Sequence, residues 1–236
     1  RVSHNQALQQ EFAANIGECV KSPAGLQDFL SEHGWGHLRA TRDLSGGCIN
    51  NLVLIETDYG PSAALKTNKN PPPDMFACES DGLRVLSMEG GLRVPAVYGC
   101  AEGWILIEYL SAAPKRTDYW ESLGIGLARL HNVVNEQFGF GYDNYIGSTR
   151  QPNPWVTDGY TFFSEHRLRF QSCLARRRGL ISKQDEKSLE SVIEKLPQLI
   201  PDQPASLCHG DLWCGNVIVG PRGEPVLIDP ATHYGW

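Results

Sequence analysis

The chain has 236 residues, 41% of them hydrophobic, which supports a sizeable core and argues against global disorder. Its net charge of −6 comes without a long basic run, which argues against nucleic acid as the main partner, and no apolar run reaches the roughly 18 residues of a membrane span. Seven cysteines, an odd count with no CxxC pair, exclude a small secreted disulfide scaffold and fit a reducing cytoplasm.

Residues 1–20 are polar and mixed and show no signal peptide; the chain begins on Arg, so its start is expected to be trimmed. Residues 22–34 predict a helix with Ser22 as N-cap, Pro23 in the first turn and Gly34 past the end. "HLRATRDL" follows as a strand, "SGGCIN" as a glycine turn and "NLVLIETD" as a second strand. "YGPS" turns into a third, "AALKTN". This order predicts an antiparallel sheet. The prolines of "NKNPPPD" exclude regular structure. Residues 75–90 predict an amphipathic helix in which Gly82 is a weak point. "VPAVYGC" and "WILIEYL" bring the count to about five strands before residue 110.

After "SAAPKRTD" the pattern turns helical. Residues 119–134 carry Leu123, Leu127 and Leu130 at helical spacing. Residues 153–179 and 182–200 predict further helices, the second capped by Ser182. Arg176–Arg177–Arg178 read as a solvated helix end before Gly179. The expected fold is α+β with two lobes: residues 1–110 built on an antiparallel sheet, residues 111–236 mainly helical.

The densest chemistry lies in "HGDLWCGN" and "VLIDP". Between them "VIVGPRGEPVLID" predicts a hairpin that folds Asp229 back beside Asn216. Two carboxylates, Asp211 and Asp229, would then meet the amide oxygen of Asn216. Oxygen ligands without thiolate or imidazole suit Mg2+, held by Asn216 and Asp229. Asp211 is left to orient a hydroxyl and accept its proton. H-x-D-x-x-x-x-N followed by a further Asp is the spacing of kinase catalytic loops. The competing readings are polar caps of a turn, or a zinc site of Cys208, His209 and Cys214, which lacks a fourth ligand. His209 is expected to brace the loop through backbone hydrogen bonds, on its substrate side.

A phosphotransferase also needs backbone N–H groups over the phosphates, a lysine on them and a carboxylate on the lysine. Gly46, Gly47 and Asn50 of the glycine turn are candidates for the first. Lys66, flanked by apolar residues, is the candidate lysine. Glu79 is its candidate partner, with Glu89 as a rival. Glu108 and Leu110 fall where a hinge strand would offer backbone groups to adenine.

Taken together, "GGCIN", "ALKTN", "ESDGLRVL", "LGIGLARLHN", "FGFGYDNYIGSTRQPNPW", "HGDLWCGN" and "VLIDPATHYG" resemble the fructosamine kinase (ketosamine 3-kinase) family of the protein-kinase-like superfamily. The resemblance implies a two-lobed kinase fold with ATP in the cleft. It implies a ketosamine substrate, a sugar–amine adduct that is small or protein-bound, phosphorylated on its C3 hydroxyl. The product releases the amine, so the net effect is deglycation. It places Trp213 next to the sugar, where an indole face offers a platform, and suggests that Gln151 and Asn153 order a loop near the cleft. Family members continue past "DPA..YG" with further helices, so the helical lobe is expected to be cut short here. Gly159 stands where the family usually has an aromatic.

Cys48, in the glycine turn, is a candidate redox site, since neighbouring N–H groups would lower its pKa. The expected state is a monomer or a disulfide-linked dimer. Two alternatives remain: an aminoglycoside-like or other small-molecule kinase, and a nucleotide-binding protein without catalysis.

Overall fold

The structure, a computed structural model, describes residues 23–44 and 50–236. Ser22, Gly46, Gly47 and Cys48 lie outside these residues. The first described helix, α1 (Leu26–Glu32), is shorter than predicted. Gly25 at φ 79° occupies its N-cap, and Leu26 and Leu30, one turn apart, form its buried face.

β1 (Leu38–Asp43), β2 (Asn51–Thr57) and β3 (Ala63–Thr67) are followed by α2 (Met75–Leu86), β4 (Val97–Ala101) and β5 (Trp104–Glu108). The five strands form one antiparallel sheet in the order β1-β2-β3-β5-β4. The sequence places all five, within three residues at each end. α2 stops at Leu86, short of the predicted residue 90, and the chain turns at Gly90 and Gly91.

Helices cover both faces at the centre of this sheet. Side chains alternate along a strand, so Ala63 and Leu65 pack with Leu26 and Leu30 of α1, while Ala64 packs with Phe76 and Leu83 of α2. Lys66 has the parity of Ala64. The pleat alone therefore sends it to the α2 face, between Leu52 and Ile105 of the flanking strands. On α2, Phe76, Glu79 and Leu83 stand at i, i+3 and i+7 and are all buried. Burying Phe76 and Leu83 contributes roughly 1.5–3 kcal/mol each. That apolar stripe carries Glu79 inward with it.

The second half comprises α3 (Tyr119–His131), β6 (Val134–Asn135), β7 (Asn144–Ile146), β8 (Thr149–Gln151), α4 (Gly159–Phe163), a π-helical turn (Ser164–Arg169), α5 (Phe170–Arg177), α6 (Lys183–Ile193), α7 (Leu196–Leu199), β9 (Ala205–Cys208), β10 (Val217–Val219), β11 (Pro225–Leu227) and β12 (His233–Gly235). α4, the π turn and α5 run on continuously. They begin at Gly159 rather than near 153, because Asp158 caps the helix by accepting from the Thr161 N–H and Pro152 and Pro154 precede it. A Cβ on Gly159 would lie 2.3 Å from the Trp236 ring and 2.5 Å from Phe138, so this glycine makes room for two aromatic rings. Ser182 caps α6 as predicted, in a capping box with Asp185. The stretch predicted to run to residue 200 breaks into α6 and α7, with Pro197 in the first turn of α7, where a missing N–H costs nothing.

This half is less helical than predicted. It holds a three-stranded sheet, β12-β9-β6, and two hairpins, β7-β8 and β10-β11. Only β10-β11 is legible beforehand. The other strands are two to four residues long, too short for alternation to register. No helix among the described residues is long and apolar enough to cross a membrane.

Gly82 joins the two halves. A Cβ there would meet Thr232 Oγ1 at 3.0 Å and Pro230 Cγ at 3.3 Å. The apparent weak point of α2 is its seat on residues 230–232. Gly82→Leu is expected to lower stability by about 1–3 kcal/mol through overpacking. Gly124→Ala in α3, where a Cβ meets nothing within 4 Å, is expected to gain roughly 0.5–1 kcal/mol. Urea unfolding of both variants separates the contact from the general helix penalty of glycine.

Candidate active site

Three elements converge on one ammonium group. Lys66 Nζ of β3 donates to Glu79 Oε1 of α2 at 2.6 Å and to Asp229 Oδ1, just past β11, at 2.7 Å. The lysine and glutamate side chains are 7% and 10% exposed, whereas that of Asp229 is 46% exposed. The triad is therefore dry on one side and open on the other. Burial opposes a charge on Lys66, but the two carboxylates outweigh it and drive its pKa upward. Burial pushes the Glu79 carboxyl up, against the pull of Lys66.

Asp229 reaches Lys66 from an unusual backbone. Its φ is 56°, in the left-handed region that Asp tolerates better than most residues. The segment around it is tied down on each side by His209. The buried imidazole donates from Nε2 to Ile228 O at 2.9 Å, and the His209 carbonyl accepts from the Ala231 N–H at 2.9 Å. The other ring nitrogen, Nδ1, accepts from the Asp211 N–H at 3.3 Å. Burial keeps His209 below the usual imidazole pKa, matching this neutral tautomer. Both nitrogens are thus spent on backbone. His209 braces the loop as expected, but its grouping with the substrate contacts is corrected: no ring nitrogen is left to reach a substrate.

Gly210 makes this closeness feasible. Its φ is 83°, and a Cβ there would lie 1.9 Å from Ala231 O. Asp211 follows, and Asn216 Nδ2 donates both to its carbonyl at 2.8 Å and to Oδ2 at 3.1 Å. The amide N–H2 of Asn216 is committed to Asp211, which leaves Oδ1 as its acceptor end. Ile228 N donates to Asn216 O at 3.1 Å, so the hairpin does bring the Asp229 segment back beside Asn216. Trp213 is 59% exposed, with its indole over Gly215, where a Cβ would be 2.3 Å from the ring. It is not a core tryptophan.

A buried amide network holds the next residues. Gln151 Nε2 donates to Ala231 O at 3.1 Å and to Asn144 Oδ1 at 2.8 Å, and Asn144 Nδ2 donates to Thr232 O at 2.8 Å. Asn153 Nδ2 donates to Asn144 Oδ1 at 3.1 Å, and Arg167 of the π turn donates to Asn153 Oδ1 at 2.6 Å. Burial pushes the Arg167 guanidinium down to about 10. Gln151 and Asn153 thus order residues 231–232, just past Asp229. Asn144 and Arg167 escape sequence reading. Asn144 lies in the same polar stretch, but nothing in its pattern distinguishes the central amide from its neighbours.

The remaining candidates divide. Asn50 Oδ1 accepts from Asn68 Nδ2 at 2.9 Å at the start of β2, while Gly46, Gly47 and Cys48 lie outside the described residues. Lys66 takes Glu79, not Glu89, as its partner. The Glu108 N–H is used by Ala96 O at 2.8 Å, and its carboxylate pairs with Arg93 at 2.6 Å. Leu110 follows β5 directly. The zinc reading finds no support: burial pushes the Cys208 thiol up to about 11, Cys214 is exposed, and among the described residues no group of three or more His, Cys, Asp or Glu is placed to hold a metal. The donors available to a cation are oxygens of Asn216 and the half-open Asp229, a set that fits a hard divalent ion.

Comparison with known proteins gives a consistent picture. The family model described as fructosamine kinase matches residues 27–236. A Synechocystis protein named "Probable ketoamine kinase" is 38% identical over 98% of this chain and 75% of its own length. The chloroplastic protein-ribulosamine 3-kinase of Oryza sativa subsp. indica is 35% identical over 89% of this chain, which spans 63% of that protein. A crystal structure from Haemophilus somnus, described as a "Putative fructosamine-3-kinase", superposes with a TM-score of 0.79 at 26% identity, over 89% of this chain and 72% of that one. Aminoglycoside phosphotransferases share the fold at 13% identity, and that likeness speaks for the fold alone. The fold is protein-kinase-like.

Two outcomes test this geometry. Gln151→Leu strips Ala231 O and Asn144 Oδ1 of a donor and is expected to cost about 1–3 kcal/mol, read by urea unfolding. His233 is pushed down to about 4 from 6.5, first by burial and then by the Arg167 charge. Since the folded pKa lies below the unfolded one, the stability it protects is full above about pH 6.5 and lost as pH falls towards 4, up to about 3 kcal/mol. His209 shifts the same way. Unfolding midpoints at pH 7 and pH 5 should therefore differ, and His233→Gln should narrow the gap.

Proposed function

The chain belongs to the fructosamine kinase family, and from that premise we propose that it transfers the γ-phosphoryl group of ATP to the C3 hydroxyl of a ketosamine. The observation that carries the reading is the triad: Lys66 held between Glu79 and Asp229 at 2.6 and 2.7 Å, one hairpin away from a linked Asp211–Asn216 pair. A lysine so fixed, with one side open, is placed for phosphate oxygens.

Asp211 orients the sugar hydroxyl and takes its proton. Asn216 Oδ1 and the Asp229 carboxylate would hold Mg2+, which when bound would neutralise charge on the phosphates. Asn50, at the start of β2, contributes to the cover of the phosphates, and the backbone at Glu108 and Leu110 receives adenine. The exposed indole of Trp213 gives the sugar ring an apolar face to lie on. Most of the rate then comes from positioning and charge neutralisation. The phosphorylated sugar releases its amine, so the outcome is deglycation. A cytoplasmic setting suits the five described cysteines, all free thiols.

Sequence likeness favours a ketosamine over an aminoglycoside, since the phosphotransferases that act on the latter share only the fold. ADP release with fructosamines, ribulosamines and aminoglycosides tests this: turnover is expected with the first two only. Asp211→Asn should lower kcat by about 10²–10⁴-fold with ADP affinity nearly unchanged, and Trp213→Ala should act mainly on the ketosamine KM. Unchanged turnover in Asp211→Asn would remove the assigned base.

A further inference from the structure

Glu108 has a second connection that the nucleotide reading leaves unused. Its carboxylate accepts from Arg93 Nη2 at 2.6 Å, and the same guanidinium donates from Nη1 to Glu224 Oε1 at 2.6 Å. Glu224 sits in the turn of the β10-β11 hairpin, its side chain 7% exposed, and Oε2 also accepts from the Arg222 N–H at 2.8 Å. Burial works against its charge, yet Arg93 and the backbone donors hold the carboxyl at about 2. Arg93 also meets this hairpin by backbone: its carbonyl accepts from the Leu227 N–H at 2.9 Å, and it bridges Val226 in parallel. On the other side Ala96 pairs with Glu108 twice, N–H to Oε2 at 3.3 Å and O to N–H at 2.8 Å.

Residues 93–96 are therefore wedged between the end of β5 and the strand that leads, two residues after Leu227, to Asp229. We propose that Arg93 is a positioning residue whose forked guanidinium sets the spacing between the adenine end of the cleft, at Glu108, and the metal end, at Asp229. The proposal rests on the nucleotide reading of the preceding subsection. A fork suits this task, because its two arms fix direction as well as distance, which a lysine cannot do. The clamp also forms part of the wall of an open cavity of about 270 Å³ lined by Arg116, Arg129 and Arg222. An apolar filling there would brace the same strands without burying charge. What the ion pairs add is register.

A nucleotide bound across both ends feels that register as coupling between its base and its metal. The test measures ADP affinity by calorimetry with and without Mg2+, and adenosine affinity alongside, in wild type, Arg93→Met and Glu224→Gln. The expected result is that Mg2+ strengthens ADP binding much less in both variants, by about tenfold relative to wild type, which lies within the usual range of coupling between sites. Adenosine affinity stays within about twofold. Glu224→Gln keeps the shape of the turn and serves if Arg93→Met does not fold. An equal Mg2+ effect in all three proteins overturns the clamp. A wild-type chain that binds no ADP overturns the nucleotide reading itself, and the clamp with it.

Discussion

The site depends on keeping one ammonium group in a nearly waterless layer. Lys66 Nζ is stable there because Glu79 and Asp229 approach it from two different elements. Removing Glu79 leaves the buried ammonium with only the half-open Asp229, a loss of up to about 3–5 kcal/mol. The cluster gains little as a source of stability, since an apolar trio would cost less to bury. Its value is geometric. A sheet strand, a helix and a hairpin end must all be in place before the charges balance.

Much of the second half of the chain serves that requirement. Asp229 has to arrive with a left-handed backbone, which few neighbours would impose unaided. His209 pins the residues on either side of it, Gly210 lets two backbones pass closer than any Cβ would allow, and the Asn144–Gln151–Asn153 amides saturate the carbonyls beyond. Each of these contacts is polar, buried and satisfied. Such networks define one arrangement because their half-made versions are costly. Asp211 and Asn216 inherit their position from the same brace.

Local patterns were enough to read the sheet, the glycine-punctuated turns, the Ser182 cap and the β10-β11 hairpin. Lys66, Asp211, Asn216 and Asp229 could also be nominated, because a lysine in an apolar strand and an acid–amide spacing before a hairpin are unusual in themselves. What stayed hidden depends on long-range proximity. β6, β9 and β12 are each only two to four residues long, and they pair across long stretches of chain, Val134 with Ser206 and His233 with Cys208. Arg93 and Arg167 look like surface arginines until the fold surrounds them with acceptors. Gly82 reads as a flaw in a helix, since only the folded chain supplies Thr232 and Pro230 against it.

That glycine bears on how the ion pairs are held. In protein kinases the lysine–glutamate pair is made and broken as its helix is repositioned, which serves as an on–off control. Here α2, bare at Gly82, lies directly on the side chains of Thr232 and Pro230, so Glu79 and the segment behind Asp229 are held together. Swinging the helix outward would tear both carboxylates from Lys66 at once. The three charges around Lys66 are thereby joined into a single unit, complete only when strand, helix and hairpin end are all seated.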